Sequence, residues 1–244
     1  GIAYESQGAT VVDIAEDTDT KELPPCIVRK SDGAALYATS DLATIVEREK
    51  LYKPDTYIYL ADKRQELHFT QVFRTAKKAG IVRPDVNMTF VGFGTMNGKD
   101  GKPFKTRSGG VMRLEHLIAD IDNAVLNKIK ENRSVSEEEA QETSKIVGLA
   151  ALKYGDLSNQ ASKDYVFDID RFASFEGNTG PYILYTIVRI KSILAKYKEN
   201  GGSLDDIKIL PAKEESEKTL SLSLVKFQEV IESAYKDNAP HRIC

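Results

Sequence analysis

Apolar residues along this chain fall into two rhythms. The first part is written in short apolar runs bounded by polar turns, and the later part in apolar stripes at helical spacing. Ala9–Ile14 and Cys26–Lys30 predict strands, separated by acidic residues and Pro24-Pro25, and Ser31-Asp32-Gly33 predicts a turn. Ala35–Ala38 predicts a short strand ahead of a helix from Asp41 to about Leu51, with Leu42, Ile45 and Val46 on one face. Tyr57–Leu60 predicts the next strand, Gln65–Lys78 a helix and Met88–Phe93 a third strand. Short strands alternating with helices predict crossover units and a parallel sheet, an α/β arrangement.

From Leu114 onward the helical period dominates. Leu114, Leu117, Ile118, Ile121 and Val125 share one face, and Ser136 with Glu139 has capping-box spacing ahead of a helix running toward Tyr154 and stopping at Gly155. Thr179 and Pro181 open another helix, striped by Ile183, Ile187, Ile190 and Leu194 and closed by Asn200-Gly201-Gly202. Leu220, Leu224, Phe227, Ile231 and Ala234 mark a last amphipathic helix, ended by Pro240. The chain therefore divides into an α/β part and an all-helical part, with the boundary between residues 115 and 175.

Composition narrows the class. Across 244 residues, 41% are hydrophobic and 29% charged, and the formal net charge is -3, values of a soluble globular chain rather than a collagenous or disordered one. No apolar run approaches the ~18 residues of a membrane span, and there is no charged-then-apolar leader. The two cysteines, Cys26 and Cys244, are too far apart in sequence for a disulfide framework, which favours a cytoplasmic reading. The mildly acidic balance excludes coating nucleic acid by bulk charge but leaves room for a local basic patch. The chain begins with Gly1 rather than Met and reads as a piece of something longer.

In an open parallel sheet, ligands bind beyond the carboxyl ends of the strands. Polar residues collect there three times: Tyr37 and Asp41 after the first predicted strand, Asp62 to Gln65 and His68 after the second, and Gly92 and Gly94 after the third. Tyr37 and Asp41 read either as a core tyrosine and a helix N-terminal acid or as a phenol and carboxylate gripping a cation, for which a guanidinium supplies a matching fork. Gln65 and His68 read either as helix-start chemistry with a structural imidazole or as ligand contacts. Metal ligation is not expected, since no second His or Cys lies at ligand spacing.

Gly98–Gly110 carries four cations, two hydroxyls and four glycines in one loop between a strand and a helix. A solvated hairpin accounts for its Asp-Gly and Gly-Gly pairs. The closeness of Lys102, Lys105 and Arg107 suits a loop that neutralises phosphate charge during phosphoryl or adenylyl transfer. Phe175–Tyr182 serves as a structural joint, and Arg189, Lys191, Lys196 and Lys198 on the following helix are either a solvated face or a face toward RNA.

Taken together, Asp32-Gly33, Leu36–Ala43, Gln65–His68, the Gly98–Gly110 loop, Lys153–Ser158 and Phe175–Tyr182 occur in an order that resembles arginyl-tRNA synthetase of the bacterial type, a class I aminoacyl-tRNA synthetase. The resemblance spans nearly the whole chain and is weakest after about Gly201. It implies the second half of a nucleotide-binding, Rossmann-like parallel sheet followed by an all-α bundle. Residues 1–120 would be catalytic and include the phosphate loop, 121–175 a connecting helical region, and 176–244 the start of an anticodon-binding domain.

The implied reaction joins L-arginine and ATP, as its Mg2+ complex, into arginyl adenylate and then charges arginine tRNA. The implied enzyme is a cytoplasmic monomer. Tyr37, Asp41 and Gln65 would form the arginine pocket; Phe93, Gly94 and Met96, with His68 nearby, the ATP side; Lys102, Lys105, Thr106 and Arg107 the catalytic loop; and Arg189 and Lys191 contacts to tRNA. Two departures follow. Phe104 stands where the family's Lys-Met-Ser-Lys-Ser loop has its first lysine, with Arg107 at its second. The family's His-x-Gly-His signature is absent from the sequence, so the resemblance implies a partial chain inactive by itself. Two other readings fit the same residues: a different adenylyl-transferring α/β enzyme, or a non-catalytic RNA-binding or scaffold module.

Overall fold

The computed structural model describes residues 1–103, 112–132, 135–205 and 207–244. The chain divides into two compact units, Gly1–Gly94 and Thr95–Cys244.

The first unit opens with an antiparallel meander of β1 (Ala3–Ser6), β2 (Ala9–Val12) and β3 (Cys26–Arg29). The strand β1 was not among the predicted elements. Its hairpin turn is built on Gln7 (φ 49°) and Gly8 (φ 81°), and two successive left-handed residues give the turn whose twist matches the flanking strands. The helix α1 follows (Tyr37–Leu51), then β4 (Thr56–Asp62), a 3-10 turn (Lys63–Gln65), α2 (Glu66–Lys78) and β5 (Asn87–Phe93). The strands β4 and β5 pair in parallel, in register from Thr56 opposite Asn87 to Asp62 opposite Phe93, with α2 as the crossover between them. The predicted crossover unit is present, but as a two-stranded parallel sheet beside an antiparallel one.

The expected strand Ala35–Ala38 does not form, and the helix begins at Tyr37 instead. Thr39 explains the change: its hydroxyl accepts from the Leu36 N–H (3.1 Å) and donates to the Val28 carbonyl (2.7 Å), so the chain is capped and turned where an apolar run suggested extension.

The unit's core is Ile14, Leu42, Ile45, Tyr57, Phe69, Val72, Phe73, Val82 and Val86, contributed by both helices, β4 and the loops. A second tie is polar. One side of α2 holds down the long β2–β3 connection: Gln71 donates to the Pro24 and Pro25 carbonyls, Lys78 to that of Asp13, and Arg74 to Asp19 at 2.7 Å through two nitrogens. Those hydrogen bonds from Arg74 hold the Asp19 carboxyl at about 2.

The second unit pairs the two-residue strands β6 (Met96–Asn97) and β7 (Tyr165–Val166) and is otherwise helical: α3 (Leu114–Asn132), α4 (Glu137–Leu157), α5 (Ile169–Phe172), α6 (Gly180–Glu199) and α7 (Glu215–Lys236). The predicted caps are in place. Ser136 Oγ accepts from the Glu139 N–H, and Thr179 Oγ1 accepts from the Tyr182 N–H while donating to the Ser174 carbonyl. Leu117, Ile121 and Val125 of α3 are buried against Ala140, Val147 and Ala151 of α4 and against Phe167 and Phe172. The stripes of α6 and α7 fare differently: Ile183, Ile187, Ile190, Leu194, Leu220, Leu224, Phe227 and Ile231 are exposed.

Gly155 does not stop α4, which runs on to Leu157. It is buried, and a Cβ there would sit 2.3 Å from the ring of Phe172. The glycine is a packing notch, so Gly155→Ala is expected to destabilise the unit by about 1–3 kcal/mol through overpacking. The midpoint of urea unfolding measures this, and an unchanged midpoint would contradict the tight α4–α5 contact.

Candidate functional site

Because β4 and β5 run in the same direction, both deliver their carboxyl ends to one edge. Gly92 lets the two chain ends approach: a Cβ there would lie 2.8 Å from the Lys63 Cα. At that edge β4 ends in Asp62, whose carboxylate is gripped in a fork by Arg64 (Nε to Oδ1 2.8 Å, Nη2 to Oδ2 2.7 Å) and also accepts from the Arg64 backbone N–H at 2.9 Å. Arg64 holds the Asp62 carboxyl down at about 2, first through the side-chain fork and then through the backbone donor. That carboxylate is already matched by a guanidinium.

Asp41 is different. Because α1 begins at Tyr37, Asp41 sits in the second helical turn, where it caps nothing and gains little from the helix terminus. Its Oδ2 meets Nε2 of His68, from the first turns of α2, at 2.6 Å. Both side chains are about a third exposed, at 31% and 28%. Tyr37 is not a core tyrosine: it is 85% exposed and lies one turn before Asp41 on the same side of α1. Gln65 ends the 3-10 turn, exposed, three residues before His68, and makes no capping hydrogen bond to α2. The Asp41–His68 contact therefore joins two surface pairs, Tyr37 with Asp41 and Gln65 with His68.

Two neighbours of this cluster were not among the sequence candidates. Arg48 lies two turns beyond Asp41 on α1 and donates to the Tyr59 hydroxyl at 3.0 Å, with its guanidinium 5.6 Å from the ring centre. Tyr59 packs at 5.1 Å against both Phe69 and Phe73. Burial pushes its phenol up, with the Arg48 charge opposing and the Asp41 charge adding. The seven-residue spacing of Asp41 and Arg48 was the available signal, since it places both on one helix face.

The remaining predicted residues are spread along the chain. Phe93 and Gly94 close the first unit at the end of β5, with Phe93 exposed. Met96 belongs to the second unit, in β6, where it packs against the helical core. Lys102 lies in an exposed turn in which its carbonyl accepts from the Gly98 N–H (2.8 Å) and its N–H donates to Asp100 (3.1 Å). Lys105, Thr106 and Arg107 lie outside the described residues. Arg189 and Lys191 are both exposed on α6, but two helical residues apart points them about 200° away from each other. Arg189 leans on Tyr185, its guanidinium 5.8 Å from the ring centre. Among the described residues no helix is long and apolar enough to cross a membrane, and no group of three acidic, His or Cys side chains could hold a metal ion.

The Asp62–Arg64 fork gives a direct check on this electrostatic picture. A carboxyl-detected NMR titration is expected to find Asp62 near 2 and to return it to the ordinary carboxylate range of about 3.9 in Arg64→Ala. An Asp62 midpoint unmoved by that substitution would remove the fork.

Residues 1–169 match the model for class I (R) tRNA synthetases, catalytic domain, and residues 183–244 match that for the DALR anticodon binding domain. The chain is 64% identical to an arginine–tRNA ligase of Agathobacter rectalis, covering all of this chain and 42% of that protein. It is 59% identical to one of Alkaliphilus oremlandii, covering 98% and 40%. The chain thus spans about two-fifths of the length of these relatives. Among solved structures, arginyl-tRNA synthetases from Plasmodium falciparum (24% identity, 99% of this chain, 40% of that one) and Thermus thermophilus (21%, 99% and 45%) each superpose with a TM-score of 0.79. At those identities the superpositions establish the fold. With the catalytic-domain model matching well over half of its residues, this chain belongs to the class I (R) tRNA synthetases.

Proposed function

We propose that these residues form part of an arginine–tRNA ligase, which condenses L-arginine with ATP, supplied as its Mg2+ complex, to give arginyl adenylate and pyrophosphate. The arginyl group then passes to the 3′ end of arginine tRNA. The observation that carries the reading is the contrast between two acids at one sheet edge. Asp62 is neutralised by its own arginine, whereas Asp41 is about a third exposed and partnered by an imidazole. A carboxylate so placed accepts a second guanidinium in a planar fork, and the selectivity over lysine comes from that geometry. Tyr37 and Gln65 flank it on exposed surface and supply a phenol and an amide to the same head group.

The other assignments follow from the family. Phe93, Gly94 and Met96 are the adenine contacts the family implies, made largely through backbone groups. Lys102, Lys105, Thr106 and Arg107 neutralise the triphosphate as pyrophosphate leaves. The tRNA contacts are cationic. By helical phase Arg189 groups with Lys196 and Lys191 with Lys198, and one of these two faces carries the contact. The residues divide functionally into a catalytic part at 1–120, a connecting helical part at 121–175 and the start of the anticodon-binding part at 176–244. The enzyme acts as a cytoplasmic monomer.

The test is steady-state aminoacylation and ATP–pyrophosphate exchange by the gene product that contains these residues. Removing the charge in Asp41→Asn is expected to raise the KM for arginine at least ~10-fold, the value of one charge-assisted hydrogen bond at a partly solvated site, and to leave the KM for ATP unchanged. Equal arginine KM values for Asp41→Asn and the parent would sink the assignment.

A further inference from the structure

The resemblance places His68 near the nucleotide side, and in the structure its ring meets Asp41. Nε2 lies 2.6 Å from Asp41 Oδ2, across 27 residues of sequence, and the ring packs edge-on to Phe69 at 5.0 Å between centres. Phe69 is itself locked into the buried aromatic cluster, stacked on Phe90 at 5.2 Å and tilted against Tyr59 at 5.1 Å. The imidazole is thus backed by the ring of a buried phenylalanine, while the carboxylate it meets, about as exposed as the imidazole, sits on the surface of α1. An aspartate on a helix surface has several rotamers, and holding it in one before a ligand arrives removes that ordering cost from binding.

We infer that His68 is a positioning residue for the amino-acid side chain. It fixes Asp41 by donating from Nε2 to Oδ2 and leaves Oδ1, with the remaining lone pair of Oδ2, directed to a guanidinium. A carboxylate oxygen accepts more than one hydrogen bond, so the imidazole and the guanidinium share the acid without competing for one site. Tyr59 on β4 feels the Asp41 charge, and its hydroxyl accepts from Arg48 of α1 at 3.0 Å.

This inference rests on the arginine-reading role of Asp41, and the experiment separates the two. In the full gene product, His68→Ala is expected to raise the KM for arginine about 5- to 20-fold with the KM for ATP within about twofold, and to reduce discrimination between arginine and its neutral isostere citrulline. His68→Gln, whose amide can donate from a similar reach, is expected to recover most of the arginine KM. In the double variant with Asp41→Asn, His68→Ala should add little, because the group it positions is already lost.

A rise in the ATP KM with arginine unaffected would return His68 to the nucleotide side and overturn the inference. So would an unchanged arginine KM in His68→Ala alongside a raised one in Asp41→Asn. If Asp41→Asn itself leaves arginine unaffected, the assignment of the pocket fails first. Thermal unfolding of each variant separates a positioning loss from a folding loss, and the glutamine variant retains the test if the alanine variant does not fold.

Discussion

Two strands that run the same way cannot be joined by a tight turn. They need a crossover, and the crossover fixes where everything else goes. Here β4 and β5 pair in parallel from Thr56 opposite Asn87 to Asp62 opposite Phe93, and α2 packs Phe69, Val72, Phe73 and Ala76 into the core. The carboxyl ends of both strands must therefore emerge together, and the first turn of α2 must start from that same edge. The polar residues after β4 are gathered at the rim by this constraint. Gly92 is part of it, because any side chain there would force the Lys63 backbone away from the neighbouring strand end.

The helix α1 meets α2 near this edge through the Asp41–His68 pair. Its apolar side, Leu42 and Ile45, is buried against the same core that α2 enters, so the two helices are held in a fixed relation. With that relation fixed, Asp41 on α1 and His68 on α2 come within hydrogen-bond distance. The aromatic cluster of Tyr59, Phe69, Phe73 and Phe90 lies directly beneath them. Packing backs the imidazole and the imidazole meets the acid, which in the proposed reading is what a guanidinium would read.

Much of this was legible in the sequence, and the failures have physical causes. The runs Tyr57–Leu60 and Met88–Phe93 and the helix after Gln65 were recognisable because propensity and periodicity agree there with the tertiary fold. The run Ala35–Ala38 was misread because Ala-Leu-Tyr-Ala serves either structure, and the deciding group is the hydroxyl of Thr39 reaching the Val28 carbonyl on another element. That misreading also distorted the weighing of Tyr37 and Asp41. A helix beginning at Asp41 makes the acid a helix-start residue, whereas one beginning at Tyr37 leaves it without a local task. Gly155 reads as a stop because glycine is unfavourable in helices, but a buried ring in contact outweighs roughly 1 kcal/mol of propensity. The stripes of α6 and α7 were predicted correctly as amphipathic helices, while periodicity carries no information about whether an apolar face finds a partner.

The pairing of Asp41 with His68 was beyond sequence reasoning because it depends on the angle between two helices rather than on spacing along either. Each residue alone has an ordinary local explanation, and neither explanation survives their meeting. An acid on a helix surface needs no imidazole, and an imidazole packed against phenylalanine could be satisfied by a backbone carbonyl. Joining them instead at a rim where each is about a third exposed leaves the carboxylate reachable from solvent with an imidazole at its back. A site built only for stability would have finished the job as Asp62 does, with a neighbouring guanidinium from its own chain. The two acids at one edge thus illustrate the distinction between a carboxylate that completes the fold and one that the fold holds ready.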